Sequence, residues 1–324
     1  LALFVSDITN TFWTTIARGV EDEAQKQGYS VLLCNTDENL TTQHSYLDLL
    51  IRQQVDGVII APYDSDARHL DKLRQRNIPT VLVDRRIDGW DVDSVYGDSI
   101  SGARALVQHL IKLGHPRIAV VSGPATTSTA EDRIAGYCLA LSEAGLSCDP
   151  RLIRRGEFRS NMGQELAHQL LDEGLNPSAI FATNNAIAMG VIDAVGARGL
   201  RIPQDIALVS FDDLPNTSHL FPFLTVVTQP AYDMGVNAAQ LLLSRLNSEV
   251  ELRPRQVVLP TRLVVRHSCG SELANDGQCP LSLPIPKHAL RPSILVKTLS
   301  PEQRQSLNTD TAGVVTSFPQ HDDL

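Results

Sequence analysis

Short, continuous apolar runs alternate with helix-patterned stretches along most of this chain, and that alternation restricts the fold more than any other feature. Runs at "LALFV" (1–5), "SVLLCNT" (30–36), "VDGVIIAP" (55–62) and "TVLVD" (80–84) read as buried strands. A second series follows at "RIAVVSG" (117–123), "LIRRGEF" (152–158), "AIFATN" (179–184) and "IALVSFDD" (206–213). Between them lie helical patterns such as "TTIARGVEDEAQKQG", where Ile16, Val20 and Ala24 recur at helical spacing. Glycines at 28, 114, 145 and 199 stand where such helices should stop. Strands apolar on both faces and linked by helices make parallel sheets covered on both sides.

Two series in 324 residues exceed one comfortable core. The prediction is therefore an α/β chain of two doubly wound parallel-sheet lobes. "VYGDSISG" (95–102) reads as the crossover between them. "LTVVTQPAYDMGVNAAQLLLSRL" and "RQVVLPTRLVVRHS" are too little for a third domain, so they are expected to return to the first lobe and end beside the second. This predicts three crossovers, with one lobe formed by 1–98 and 230–260 and the other by 99–229 and 261–270. A ligand cleft is expected between the carboxyl ends of the two sheets. From 271 to 324 the chain turns rich in Pro, Ser and Thr, a composition that predicts a disordered tail, with at most one helical turn capped by Ser300 ahead of Pro301.

The bulk chemistry excludes several classes of function. Lys and Arg number 28 against 37 Asp and Glu, an acidic balance unsuited to binding phosphate backbones directly. No apolar run reaches the ~20 residues of a membrane span. Five cysteines without C-x-x-C spacing argue against a disulfide framework or a zinc site, and for a reducing cytoplasm. Neither G-x-x-x-x-G-K-S/T nor G-x-G-x-x-G after a strand occurs, H-E-x-x-H is absent, and "GDSISG" breaks the spacing of a nucleophile elbow. The histidines, among them His44, His69, His109 and His115, mostly fit helix faces and turns and read as surface residues. No enzyme, cofactor or metal is predicted. The start of the chain inside a buried strand suggests that a segment upstream has been removed.

Polar residues at strand ends carry the functional reading. "TVLVDRRIDGW" leaves the core and places Asp84, Arg85 and Arg86 at once. Asp7, Asn10, Phe12 and Trp13 follow the first strand, and Arg133 opens the helix after "RIAVVSG". Phe158 ends the next strand, Asn184 and Asn185 end "AIFATN", Asp212 and Asp213 end "IALVSFDD", and Gln229 lies in a crossover. Each has a structural alternative: Asn184 as a helix cap, Phe12 as core, Asp213 as a turn residue. Together, fixed carboxylates, guanidinium groups and amides suit the hydroxyls of a polyol, and aromatic rings suit the apolar faces of a sugar.

These blocks resemble the effector-binding core of the LacI-type (lactose repressor) family of transcription regulators, whose fold is shared with periplasmic sugar-binding proteins. The likeness covers roughly residues 1 to 270 and rests on "SDITNTFWTTIARGVEDEAQKQGY", "VDGVIIAP", "IPTVLVDRR", "LIKLGHPRIAVVSG", "TAEDRIAGYCLALSEAGL", "AIFATNNAIAMG", "GLRIPQDIALVSFDDLP" and "LTVVTQPAYDMG". It implies ligand contacts from Asn10, Phe12, Trp13, Asp84, Arg85, Arg133, Phe158, Asn184, Asp212 and Gln229, a set like that of ribose-type binding proteins. Asn185 departs from the family, which usually carries Asp there. The resemblance further implies a homodimer and an N-terminal helix-turn-helix headpiece that reads operator DNA, which this chain lacks. The expected function is a cytoplasmic, monosaccharide-responsive regulator, with a pentose favoured. A sugar-acid effector is the alternative suggested by Arg86 and Asn185. A periplasmic sugar-binding protein of a transport system is the other alternative, and a sugar-processing enzyme a distant third.

Overall fold

The computed structural model describes residues 1–87, 89–214 and 222–272, which form two six-stranded sheets. The first contains β1 (Ala2–Val5), β2 (Leu32–Asn35), β3 (Val58–Ile60), β4 (Thr80–Val83), β5 (Asp93–Gly97) and β11 (Gln256–Leu259). The second contains β6 (Ile118–Ser122), β7 (Ile153–Arg155), β8 (Ala179–Ala182), β9 (Ala207–Phe211), β10 (Thr225–Thr228) and β12 (Arg262–Val264). Their orders are β11-β5-β4-β3-β1-β2 and β12-β10-β9-β8-β6-β7. Every pairing is parallel except that of β12, which runs antiparallel to β10. Each sheet thus winds outward from its own first strand, and the order reverses beside β1 in one lobe and β6 in the other. That reversal opens a crevice at the carboxyl ends.

The alternation of strand side chains explains why both faces are apolar. Leu3 and Val5 pack into one core of the first sheet, while Ala2 and Phe4 pack into the other. One face is covered by α1 (Thr11–Lys26) and α8 (Ala231–Leu246), the other by α2 (Leu40–Arg52) and α3 (Asp71–Gln75). In the second lobe α4 (Ser99–Lys112) pairs with α5 (Ser128–Glu143), and α6 (Ser160–Asp172) with α7 (Asn185–Ala197). The predicted stripe Ile16, Val20 and Ala24 is fully buried against α8. The two helices touch through small residues: a Cβ on Gly235 would lie 2.1 Å from the Ile16 carbonyl oxygen.

The chain crosses between lobes three times: after β5, after β10 and between β11 and β12. The crossover expected at 95–102 differs in detail. Its first residues belong to β5, and α4 starts directly after Asp98, whose carboxylate accepts the Ser101 N–H at 3.0 Å. The strand was hidden because it opens on Asp93, a fully buried carboxylate held by Arg245 Nε at 2.6 Å and the Arg255 N–H at 2.6 Å. The strand expected over 152–158 is also shorter. β7 stops at Arg155, so Phe158 lies in the loop beyond it.

Two further expectations are corrected. Cys138 on α5 and Cys148 beyond it are joined as a disulfide, with Cα atoms 5.5 Å apart. Cysteine count and spacing could not show that the loop after α5 folds back on the helix. Cys34 and Cys269 are buried and free, and Cys279 lies outside the described residues. His115 is buried, not on the surface, with Nε2 3.3 Å from the Cys269 carbonyl oxygen. All but the first two positions of the expected 271–324 tail, including Ser300 and Pro301, lie outside the described residues. Among those described, no helix is long and apolar enough to cross a membrane.

Candidate ligand site between the lobes

Two aspartates define the floor of the crevice. Asp84 follows β4 and Asp212 follows β9, and both take left-handed backbone, with φ of 65° and 63°. Each donates its N–H across to the neighbouring strand at 2.8 Å, Asp84 to the Val95 carbonyl and Asp212 to the Val227 carbonyl. The two lobes thus repeat one device. A non-glycine residue is costly in this conformation and is retained where the surroundings fix it, often at a functional site.

Between the two carboxylates stands Arg133, on the first turns of α5. Its Nη1 donates to the Thr183 carbonyl at 2.6 Å, its Nη2 lies 3.9 Å from Asp212, and its guanidinium is 3.9 Å from the centre of the Phe211 ring. Burial pushes the Asp84 carboxyl up to about 6, against the opposing pull of Arg133 and then Arg85. Burial likewise raises Asp212, opposed by Arg133 and by the 2.9 Å hydrogen bond from Gln229 Nε2. Asp84 Oδ1 and the Nε groups of Arg85 and Arg133 are buried without a protein partner. Buried polar atoms rarely stay so, and one acceptor with two donors, contributed by both lobes, is a pattern that hydroxyl groups satisfy.

A cavity of about 70 Å³ collects nearly the whole set expected from sequence: Asn10, Phe12, Trp13, Asp84, Arg85, Arg133, Phe158, Asn184 and Asp212 all line it. Gln229 does not line it but stands behind Asp212. Its side chain crosses Gly97 so closely that a Cβ there would lie 2.3 Å from Gln229 Oε1. One water needs ~10–15 Å³ on this scale. The space therefore matches about five waters, the size of one small polyol.

Several of these residues also serve the fold. Asn10 caps α1, its Oδ1 accepting the Phe12 N–H at 3.1 Å, and Asn184 caps α7, accepting the Ile187 N–H at 2.8 Å. The cap commits the Asn184 carbonyl oxygen and leaves its NH2 end for a ligand. Trp13 lines the cavity and belongs to the first core as well. Phe158 is held by the absence of a side chain opposite: a Cβ on Gly123 would lie 2.1 Å from its ring. Gly123→Ala is therefore expected to drive the ring into the cavity and weaken ligand binding at least ~tenfold, on the scale of a lost aromatic contact, measurable by titration calorimetry. Unchanged affinity would show that the ring does not cover the ligand.

Asp7, expected beside the first strand's end, lines the cavity as well, and four lining residues were missed: Asp37, Glu38, Thr129 and Arg159. Asp37 and Glu38 follow β2 in "CNTDENL", and the strand-end rule applied to that run would have found them. Thr129 precedes Arg133 by one helical turn, and Arg159 adjoins Phe158.

The lobes meet around the cavity through polar ties. Asn10 and Asn185 exchange amide hydrogen bonds, Nδ2 of Asn10 to Oδ1 of Asn185 at 2.9 Å and the reverse at 3.1 Å. Asn185 also donates to the Asp213 carbonyl at 2.9 Å. The residue that departs from the family thus closes the lobes on each other and does not line the cavity. Arg86, expected near a ligand carboxylate or in solvent, grips Asp132 of the other lobe through both Nη atoms, at 2.7 and 2.9 Å, and lies over Tyr96. The Arg86 N–H donates to Ser128 Oγ at 2.8 Å, the Ser65 N–H to the Thr126 carbonyl at 2.9 Å, and Arg159 to the Asp37 carbonyl at 2.8 Å.

Comparison with known proteins agrees with this architecture. Residues 1–267 match the family of periplasmic binding proteins and the sugar-binding domain of LacI-family regulators. The HTH-type transcriptional repressor PurR of Pasteurella multocida is 32% identical over 84% of this chain and 82% of its own length. The ribose operon repressor of Halalkalibacterium halodurans is 34% identical over 83% of this chain and 78% of its own. Among solved structures, the transcriptional regulator CelR in complex with cellobiose superposes with a TM-score of 0.76 at 31% identity, covering 82% of this chain and 83% of that one. Two doubly wound lobes around a polar cleft define an effector-binding core. The chain belongs to the LacI family.

Proposed function

We propose that this chain is the effector-binding and dimerising core of a cytoplasmic, sugar-responsive transcriptional regulator, taking one neutral monosaccharide, a pentose first, by closure of its lobes. The lobes are 1–98 with 230–260 and 99–229 with 261–270, a division supported by the sheet orders. Operator DNA is the further partner, reached through a helix-turn-helix N-terminal to this chain. The carrying observation is the trio of buried residues Asp84, Arg133 and Asp212 lining a cavity of about 70 Å³, with an acceptor of Asp84 and a donor of Arg133 left without a protein partner. That size supports a monosaccharide over a disaccharide such as the cellobiose of the CelR complex. The ribose operon repressor among the relatives supports a pentose.

A sugar-acid effector loses both its supports, since Arg86 is engaged by Asp132 and Asn185 by Asn10. The Cys138–Cys148 bond favours an oxidising compartment, and with it the periplasmic transport reading. The repressors matched over most of their length outweigh it. Calorimetry with a panel of pentoses, hexoses and their acids is expected to give reversible binding of a neutral pentose without turnover. Preference for an acid, or consumption of any sugar, would sink the proposal.

A further inference from the structure

The guanidinium of Arg85 is one of three on the cavity wall, and its fork is already taken. Nη1 donates to Glu38 Oε2 at 3.0 Å and to the carbonyls of Pro62 and Tyr63 at 3.0 and 3.2 Å, while Nη2 pairs with Glu38 Oε1. This is a bidentate, charge-assisted pair, the geometry in which a ligand carboxylate would otherwise bind. Only Nε of Arg85 is left without a protein partner. A single N–H is a donor for a hydroxyl, not a fork for a carboxylate.

The chain is shaped to bring Glu38 there. Asp37 and Glu38 both take left-handed backbone, with φ of 53° and 49°, in the turn after β2. The Glu38 N–H is anchored on the Ser6 carbonyl at 3.2 Å, and Asn39 then caps α2 by accepting the Thr42 N–H at 3.0 Å. Two successive non-glycine residues in this conformation are unfavourable for a simple turn. Carboxylates on the cavity wall outnumber guanidinium groups five to three, so the field in the closed cleft also opposes an anion.

We infer that Glu38 is a specificity-determining residue: by holding the Arg85 fork in an internal ion pair, it admits hydroxyl-rich neutral ligands and turns away sugars carrying a carboxylate or phosphate. The inference rests on the reading of the cleft as a monosaccharide site. Glu38 acts through Arg85 and through its own charge.

The test compares wild type with Glu38→Gln by calorimetry, using D-ribose and D-ribonate. Should the panel select another aldose, that sugar and its aldonate replace them. Glu38→Ser is run beside it, so that the outcome does not hang on the folding of one variant. Wild type is expected to prefer the aldose at least ~tenfold. Loss of the carboxylate is expected to shift the ratio of the two affinities at least ~tenfold towards the aldonate, and the affinity gained by the aldonate should weaken as salt rises. If both ligands weaken together, with their ratio fixed, Glu38 only braces Arg85 and the inference is wrong, although the monosaccharide reading stands. Equal binding of both ligands by wild type overturns it as well. If no monosaccharide binds wild type, the reading fails and takes the inference with it.

Discussion

Replacing Asp84 by Asn is expected to make the protein more stable at pH 8 and to weaken its hold on a ligand. Burial raises the Asp84 carboxyl from 3.8 to about 6, so the folded chain binds this proton more tightly than the unfolded chain does. The associated stability is fully present below about 4 and is lost as pH rises through 6. Two units correspond to roughly 3 kcal/mol by the usual conversion. Asparagine has the same shape and tolerates left-handed backbone, so it removes the charge and little else. The variant should match wild type in melting temperature near pH 4 and exceed it by on the order of 5–10 °C at pH 8. Binding should fall at least ~tenfold, since a ligand hydroxyl loses a charged acceptor. For wild type, affinity should be full above pH 6 and decline below it, because hydrogen bonds to the carboxylate favour its ionised form. Identical melting curves for the two proteins at pH 8 would contradict this account.

Much of the fold was legible because it follows from two periodicities. Strands such as "VDGVIIAP" are apolar at every position of their core, and no other element of that length buries both faces. The stripe Ile16, Val20 and Ala24 identified α1 in the same way. β5 escaped because its first residue is Asp93, and a buried carboxylate is recognisable only once Arg245 and Arg255, distant in sequence, are seen to hold it. The site was legible for a topological reason: residues just beyond parallel strands face the crevice, whatever else they do. Partners distant in sequence were not legible. Asn185 pairs with Asn10, Arg86 with Asp132 and Arg85 with Glu38, at separations of 175, 46 and 47 residues, which no local pattern encodes.

These partners divide the work of the cleft. The Asn10–Asn185 and Arg86–Asp132 pairs form between lobes and favour closure without occupying the cavity. A ligand shifts the balance between open and closed arrangements only by what it adds to the closed one. On the proposed reading, that addition draws on the unpartnered atoms of Asp84, Arg85 and Arg133, which belong to both lobes, with the amide of Asn184 beside them. On the same reading, such a division lets the interlobe pairs set how readily the core closes, and the buried atoms set which molecule closes it.

Arg133→Met provides the most demanding check of that division, because one guanidinium is shared by two carboxylates. Arg133 is the strongest of the charges opposing the burial-driven rise of Asp84, and likewise of Asp212. Methionine keeps an unbranched stem to lie over Phe211 but supplies neither charge nor the donor to the Thr183 carbonyl. Both carboxyls should then titrate higher still, so folding should weaken progressively as pH rises and the acids are forced to ionise. Removing one partner from a buried charge cluster costs about 3–5 kcal/mol, and that loss is expected at pH 8. Towards acid pH, as the two raised carboxyls take up their protons, most of it should disappear. Ligand binding should be lost throughout, since protonation restores stability but not the missing donor. Adding Asp84→Asn to this variant should recover much of the stability at pH 8 and none of the binding, a coupling read directly from a double-mutant cycle of melting curves. A destabilisation of the same size at every pH would mean that Arg133 acts through its hydrogen bond to the Thr183 carbonyl and its packing, and that the two aspartates do not share it.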